Sequence, residues 1–257
     1  MNNRFIIAFV VLVVYLAIIM VGAKLEVGDG TMPQGEMISR RISTSLVIGV
    51  VFLFAVVGIF GWRRDSGLKP VRSAKSLWIL WFPALLILAF FVVSLLLGLP
   101  PLQAFIFVGI NTLIVGISEE LAFRGIFFSA ARSAMRPWPA IAITSAIFGA
   151  VHVLNGITTG NWPGATTQAI AAAMSGVLFI AILIRTGSLV PAMIVHWLWD
   201  FGVFSISTRE GHSVPTEPAE TSLMMMFAPV LFVLPNFLYG LWLLREIGSK
   251  SSEELLD

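Results

Sequence analysis

The chain has 257 residues, 58% hydrophobic and 12% charged, with a formal net charge of +2. Soluble domains carry about 25% charged residues, so the polar surface cannot cover a water-exposed globule and the solvent for this chain is lipid. The lack of cysteine excludes disulfides, thiolate metal sites and a cysteine nucleophile, and the scattered basic residues argue against a nucleic-acid face.

Eight apolar stretches reach or approach the roughly 20 residues that cross a bilayer: 5–23, 44–62, 77–98, 104–131, 139–154, 165–184, 188–206 and 223–244. The expected fold class is therefore all-α, a polytopic integral membrane bundle of about eight transmembrane helices. The first stretch follows Arg4 and lacks a convincing small-residue cleavage site, so it reads as a retained span and not a signal peptide. The fifth is short. The uncharged loop after it, Asn155 to Gly164, is expected either to follow a span of little tilt or to dip back into the protein. There is no internal repeat and no low-complexity linker. The organisation divides into N-terminal helices and loops (1–103), a catalytic core (104–206), and an outer loop, last helix and tail (207–257).

Lysine and arginine placement sets orientation. With the N-terminus in the cytoplasm, 11 of the 16 basic residues fall in inner segments and 4 outside: Lys24, Arg40, Arg41 and Arg209. Arg124 lies within a span. Both termini are thus expected in the cytoplasm, with Arg40 and Arg41 against the trend. Met224 to Met226 are expected to face lipid or neighbouring helices. His212, beside Arg209, Glu210 and Glu217, reads as a solvated loop histidine, and Lys250 to Asp257 as a solvated tail.

The polar residues inside the spans carry the chemistry. An ionisable group at membrane depth costs roughly 2.5–3.5 kcal/mol on insertion scales, so it usually faces the bundle interior and has a task. Glu119 and Glu120 lie in Gly116-Ile117-Ser118-Glu119-Glu120-Leu121-Ala122-Phe123-Arg124-Gly125. Glu120 and Arg124 are four apart on a helix and share a face, where an ion pair lowers the cost of burying both. Glu119 lacks that partner and is free to point at a cavity. His152 follows Phe148 by four, so ring and imidazole share a face. His196 and Asp200 are also four apart; the aspartate either fixes which imidazole nitrogen is free or joins the histidine on a cation. Carboxylates and imidazoles together are the parts for activating water. Helix rise spreads Glu119, His152 and His196 over the inner half and midplane of the bilayer, and tilted helices would let them converge on one site.

These three motifs in this order resemble the family of CAAX proteases and bacteriocin-processing enzymes, also called CPBP or Abi, which includes the CAAX prenyl endopeptidases. Glu119 to Gly125 is similar to the family's Glu-Glu-x-x-x-Arg motif with its Phe-Arg-Gly ending. Phe148 to His152 is similar to Phe-x-x-x-His, and His196 to Asp200 to His-x-x-x-Asn/Asp. The resemblance covers about 104 to 206. It implies peptide hydrolysis within the membrane, with Glu119 as general base, His196 activating water with it, and His152 binding that water or the developing oxyanion. Glu120, Arg124, Asp200 and Phe148 would support the site. It leaves open whether the enzyme needs no cofactor or a divalent metal such as zinc held by Glu119, His152, His196 and Asp200. Asp200 stands where other members have Asn; an ionised aspartate cannot donate to an oxyanion, so it suits a metal ligand, a histidine-orienting group or a protonated acid better.

Other membrane proteases fit poorly. No His-Glu-x-x-His helix is present and no Gly-x-Ser-x-Gly elbow. Ser118 and Ser175 lack a nucleophile's context; Ser175-Gly176 reads as close helix packing, and Asp29 falls in a polar loop. The expected partners are a membrane-associated peptide or protein substrate and the bilayer itself, and the expected location is a prokaryotic cytoplasmic membrane. Two other readings remain: a transporter or proton channel with a carboxylate and histidine relay, against which stands the lack of an inverted repeat, and a non-catalytic scaffold or immunity protein, against which stand the intact Glu119, His152 and His196.

Overall fold

The computed structural model describes residues 3–209 and 223–247; His212 and the tail from Lys250 lie outside them. Among the described residues all the regular secondary structure is helical, because a backbone in lipid must satisfy its own polar groups. In chain order the helices are α1 (Asn3–Val27), α2 (Gln34–Arg40), α3 (Thr44–Ile59), a 3-10 turn (Ala74–Leu80), α4 (Trp81–Leu97), α5 (Leu102–Glu120), a π-helical segment (Leu121–Phe128), α6 (Ser129–Ala134), α7 (Pro137–His152), α8 (Asn155–Thr159), α9 (Trp162–Thr186), α10 (Val190–Ser207) and α11 (Leu223–Leu244).

Seven helices among the described residues are long and apolar enough to cross a membrane, and an eighth span results if α2 and α3 are taken together across their 83° bend. The expected second span is therefore the least regular, because α3 alone has only 16 residues. Asn111 of α5 holds the bend: its Nδ2 donates to the carbonyls of Ile38 and Arg41 (2.8 and 2.7 Å), and its Oδ1 accepts from the Ser43 amide (2.9 Å). The uncharged stretch after the fifth span carries the short helix α8, closed by Gly160 at φ 70°. Asp29 lies exposed in the turn after α1.

At the centre stands α9, with 72% of its apolar window buried against 17% to 39% in the other spans. Small residues let its neighbours approach, as membrane helices without a hydrophobic driving force between them require. A Cβ on Gly149 of α7 would lie 2.5 Å from the Ala169 carbonyl oxygen of α9, and one on Gly176 of α9 would meet the Ser145 backbone of α7 at 3.1 Å. On the other side of the bundle, α1 and α3 pack against the π-helical segment, where Leu12, Leu53, Phe123 and Phe127 are buried together. Two prolines, Pro229 and Pro235, lie inside α11, each removing a backbone donor.

Candidate active site

The site forms where α5 ends. Glu119 and Glu120 occupy its last two positions, and the π-helical segment starts at Leu121. π-helical turns are rare and concentrate at functional sites. Glu120 and Arg124, four apart, share one face, while Glu119, one residue earlier, points to another. Gly116, one turn earlier, lets α10 close in: a Cβ there would lie 3.0 Å from both the Met193 carbonyl oxygen and the Trp197 amide nitrogen. That close approach brings His196 to Glu120.

Glu120 and Arg124 are both fully buried, with Nη1 of Arg124 donating to Oε1 of Glu120 at 3.0 Å. The guanidinium lies 3.9 Å from the Phe148 ring centroid and 5.1 Å from that of Phe179. Such contacts are worth about 2 kcal/mol when desolvated, and they cover the planar faces of a cation whose Nε and Nη2 have no hydrogen-bond partner.

The same Glu120 oxygen accepts from Nδ1 of His196 at 2.9 Å. The imidazole is stacked on Phe179 with 4.8 Å between centroids and faces Phe148 edge-on. Its Nε2 points into the site, 3.4 Å from Asp200 Oδ2 and 3.8 Å from Glu119 Oε2. Glu120, 76 positions away in the chain, thus makes the closer carboxylate contact to His196. Asp200, the partner suggested by helical spacing, lies beside the opposite nitrogen. On the other side, His152 donates from Nδ1 to the Phe148 carbonyl at 2.7 Å, which leaves Nε2 facing Glu119 Oε2 at 4.0 Å. Phe148 is the hub of the arrangement: Arg124, His152, His196 and Phe123 all touch its ring.

Glu119 Oε2 is buried and has no hydrogen-bond partner. Glu119, His152, His196 and Asp200 line one cavity of about 1100 Å³ whose remaining wall is mostly apolar, whereas Glu120 and Arg124 lie behind it. Phe179 and Tyr15 also line this cavity; helical spacing could not single out Phe179, one apolar residue among many in α9. Ser175 faces the cavity, while its neighbour Gly176 makes the close packing expected of the pair.

A metal ion fits this donor set poorly. Ligands about 2.0–2.1 Å from tetrahedral zinc lie about 3.4 Å from one another; His196 Nε2 and Asp200 Oδ2 are at that spacing, but the Glu119 oxygen is 3.8 and 4.0 Å from the two imidazole nitrogens. Among the described residues no three His, Asp or Glu side chains are grouped to hold a metal. Polar atoms more than about 3.5 Å apart leave room for a bridging water.

Residues 101–202 match the family model described as type II CAAX prenyl endopeptidase Rce1-like. The match supports membership of the matched segment in the CAAX protease family. All seven site residues, from Glu119 to Asp200, lie inside the matched segment of this Rce1-like domain. No curated protein and no solved structure matches the chain. The CAAX protease family, together with the apolar helices, supports an integral membrane protease that acts on a membrane-associated peptide.

Proposed function

We propose that this protein is an intramembrane endopeptidase in which Glu119 is the general base. A water held between Glu119 Oε2 and the Nε2 atoms of His152 and His196 gives a proton to Glu119 as its oxygen bonds to the scissile carbonyl carbon. Collapse of the tetrahedral adduct breaks the C–N bond, and the leaving amine takes the proton back from Glu119. One water is consumed and the carboxylate is restored. Glu120 orients His196 through Nδ1, Arg124 neutralises Glu120, and Phe148 holds Arg124 and both histidines in place. Both termini face the cytoplasm, and the bilayer is a prokaryotic cytoplasmic membrane.

The observation that carries this reading is the Glu119 carboxylate oxygen: buried, unpartnered, set in a cavity wall and about 4 Å from two imidazole nitrogens. A buried carboxylate oxygen without a hydrogen bond in a mostly apolar cavity is costly unless it has work to do. The test uses purified protein in detergent micelles and a library of quenched fluorescent peptides, farnesylated and unmodified. Glu119→Gln keeps the shape but cannot accept a proton, so cleavage falls about 10²–10⁴-fold. Near wild-type cleavage by this variant refutes the proposal. So does a library left intact by the wild type together with a membrane proteome that is the same with wild type and with Glu119→Gln.

A further inference from the structure

We infer that Tyr15, on α1 and outside the matched segment, is a positioning residue that aims Glu119 through Ser118; the inference rests on Glu119 being the base proposed above. Tyr15 is the only polar side chain between Arg4 and Lys24. Tyrosines of membrane helices gather at the interfaces, but Tyr15 stands midway along Asn3–Val27, far from either end. It is 2% exposed. Its hydroxyl donates to Ser118 Oγ at 3.0 Å, and Ser118, itself fully buried, donates on to the Val115 carbonyl at 3.3 Å. The ring is backed by Gly49 of α3, where a Cβ would lie 3.1 Å from Tyr15 Cε2. Tyr15 and Glu119 line the same cavity.

The need for such a tether comes from the helix itself. At Leu121 the hydrogen-bond register changes, and the Leu121 amide is shared between the Ile117 and Ser118 carbonyls. The last α5 turn therefore borders directly on a change of helix pitch. The Glu119 oxygen that faces the imidazoles has no hydrogen bond to correct a small rotation. Its two neighbours in sequence are anchored instead. Glu120 is held by Arg124 and His196 on one side, and Ser118 by Tyr15 on the other. With about 100° between successive residues, these two anchors bracket Glu119 and set the direction in which it points. The first helix thus belongs to the reaction centre although it supplies no reacting atom.

Tyr15→Phe, Ser118→Ala and the double variant test this, assayed in detergent micelles on the library peptide that the wild type cleaves fastest. A misplaced reacting group costs up to about 10²-fold. The expected result is a kcat lower by about 10- to 100-fold in Tyr15→Phe, with KM unchanged. The double variant should be no slower than the worse single, because both changes cut one tether. A wild-type kcat in Tyr15→Phe overturns the inference; with Glu119→Gln inactive, the peptidase reading survives. A rise in KM alone makes Tyr15 a substrate contact and also overturns it, as does a double variant whose losses multiply. If Tyr15→Phe does not fold, Ser118→Ala carries the same kcat test. Cleavage by Glu119→Gln overturns both proposals.

Discussion

Exchanging either of the two adjacent glutamates for glutamine should separate chemistry from architecture. In Glu120→Gln the amide oxygen can still accept from Arg124 and His196, but the charge is gone. Arg124 is fully buried, and among the described residues its only ion pair is with Glu120 at 3.0 Å. Removing one partner of a buried ion pair costs about 3–5 kcal/mol, because the other charge stays buried and unpaired. At about 2–4 °C per kcal/mol for a chain of this size, the melting midpoint should fall by about 10 °C. Contacts with Phe148 and Phe179 offset little of this, since they are present before and after the change. Glu119→Gln should leave the midpoint at or above the wild-type value: its Oε2 has no hydrogen bond to lose. Thermal unfolding of both variants in the same detergent, followed by intrinsic fluorescence, measures the contrast. An unchanged midpoint in Glu120→Gln, or an equal loss in Glu119→Gln, would refute the division between a structural and a reacting carboxylate.

Gly116→Ala should abolish cleavage and lower the melting midpoint, because the new methyl meets α10 backbone at 3.0 Å and pushes His196 away from Glu120; a variant that melts and cleaves as wild type shows that the helices do not need this approach. Asp200→Asn should lower kcat less than about tenfold, well under the loss of a general base, since Glu120 already holds Nδ1 of His196; a larger loss measured on the same peptide means that the aspartate does more than flank the ring. Dialysis against a chelator should leave hydrolysis unchanged, given the 3.8 and 4.0 Å spacings around Glu119 Oε2, and inactivation that added zinc reverses would require the donors to close on an ion. Reporter fusions to the C-terminus should give a cytoplasmic signal, as the 11-to-4 placement of basic residues predicts; a signal from the opposite side reverses the orientation.

What could be read from the sequence was what lies within one turn of a helix. Glu120 with Arg124, Phe148 with His152, and His196 with Asp200 are all four apart, and each pair does meet in space. The eight apolar stretches likewise followed from length and composition alone, except that the second became a bent pair of short helices. That bend depends on Asn111, whose partners at Ile38, Arg41 and Ser43 are about 70 positions away. The same limit applies to the site. Nothing local to Glu120 tells that it accepts from His196, and nothing local to Phe179 tells that it stacks on that imidazole. Tyr15 did leave a mark, as the lone hydroxyl in an otherwise apolar helix, but its partner becomes visible only when α1 is laid against α5.

The pairing of two glutamates in sequence acquires a physical reason from this geometry. A single carboxylate cannot be both the fixed counter-ion of a buried arginine and the unpartnered base of a cavity. Ion pairing lowers its proton affinity and ties down its oxygens, whereas a base must keep a free oxygen toward water. Adjacent positions on a helix point about 100° apart, which places one carboxylate behind the cavity wall and the other in it while both share one backbone anchor. Glu120 can then bind Arg124 and His196 through one oxygen, and Glu119 is presented by the same turn with its own oxygen free of hydrogen bonds. On the proposed mechanism, moving the arginine's partner to Glu119 would leave His196 unoriented and the cavity without its base, so the side of α5 that faces α10 would set the order of the two roles.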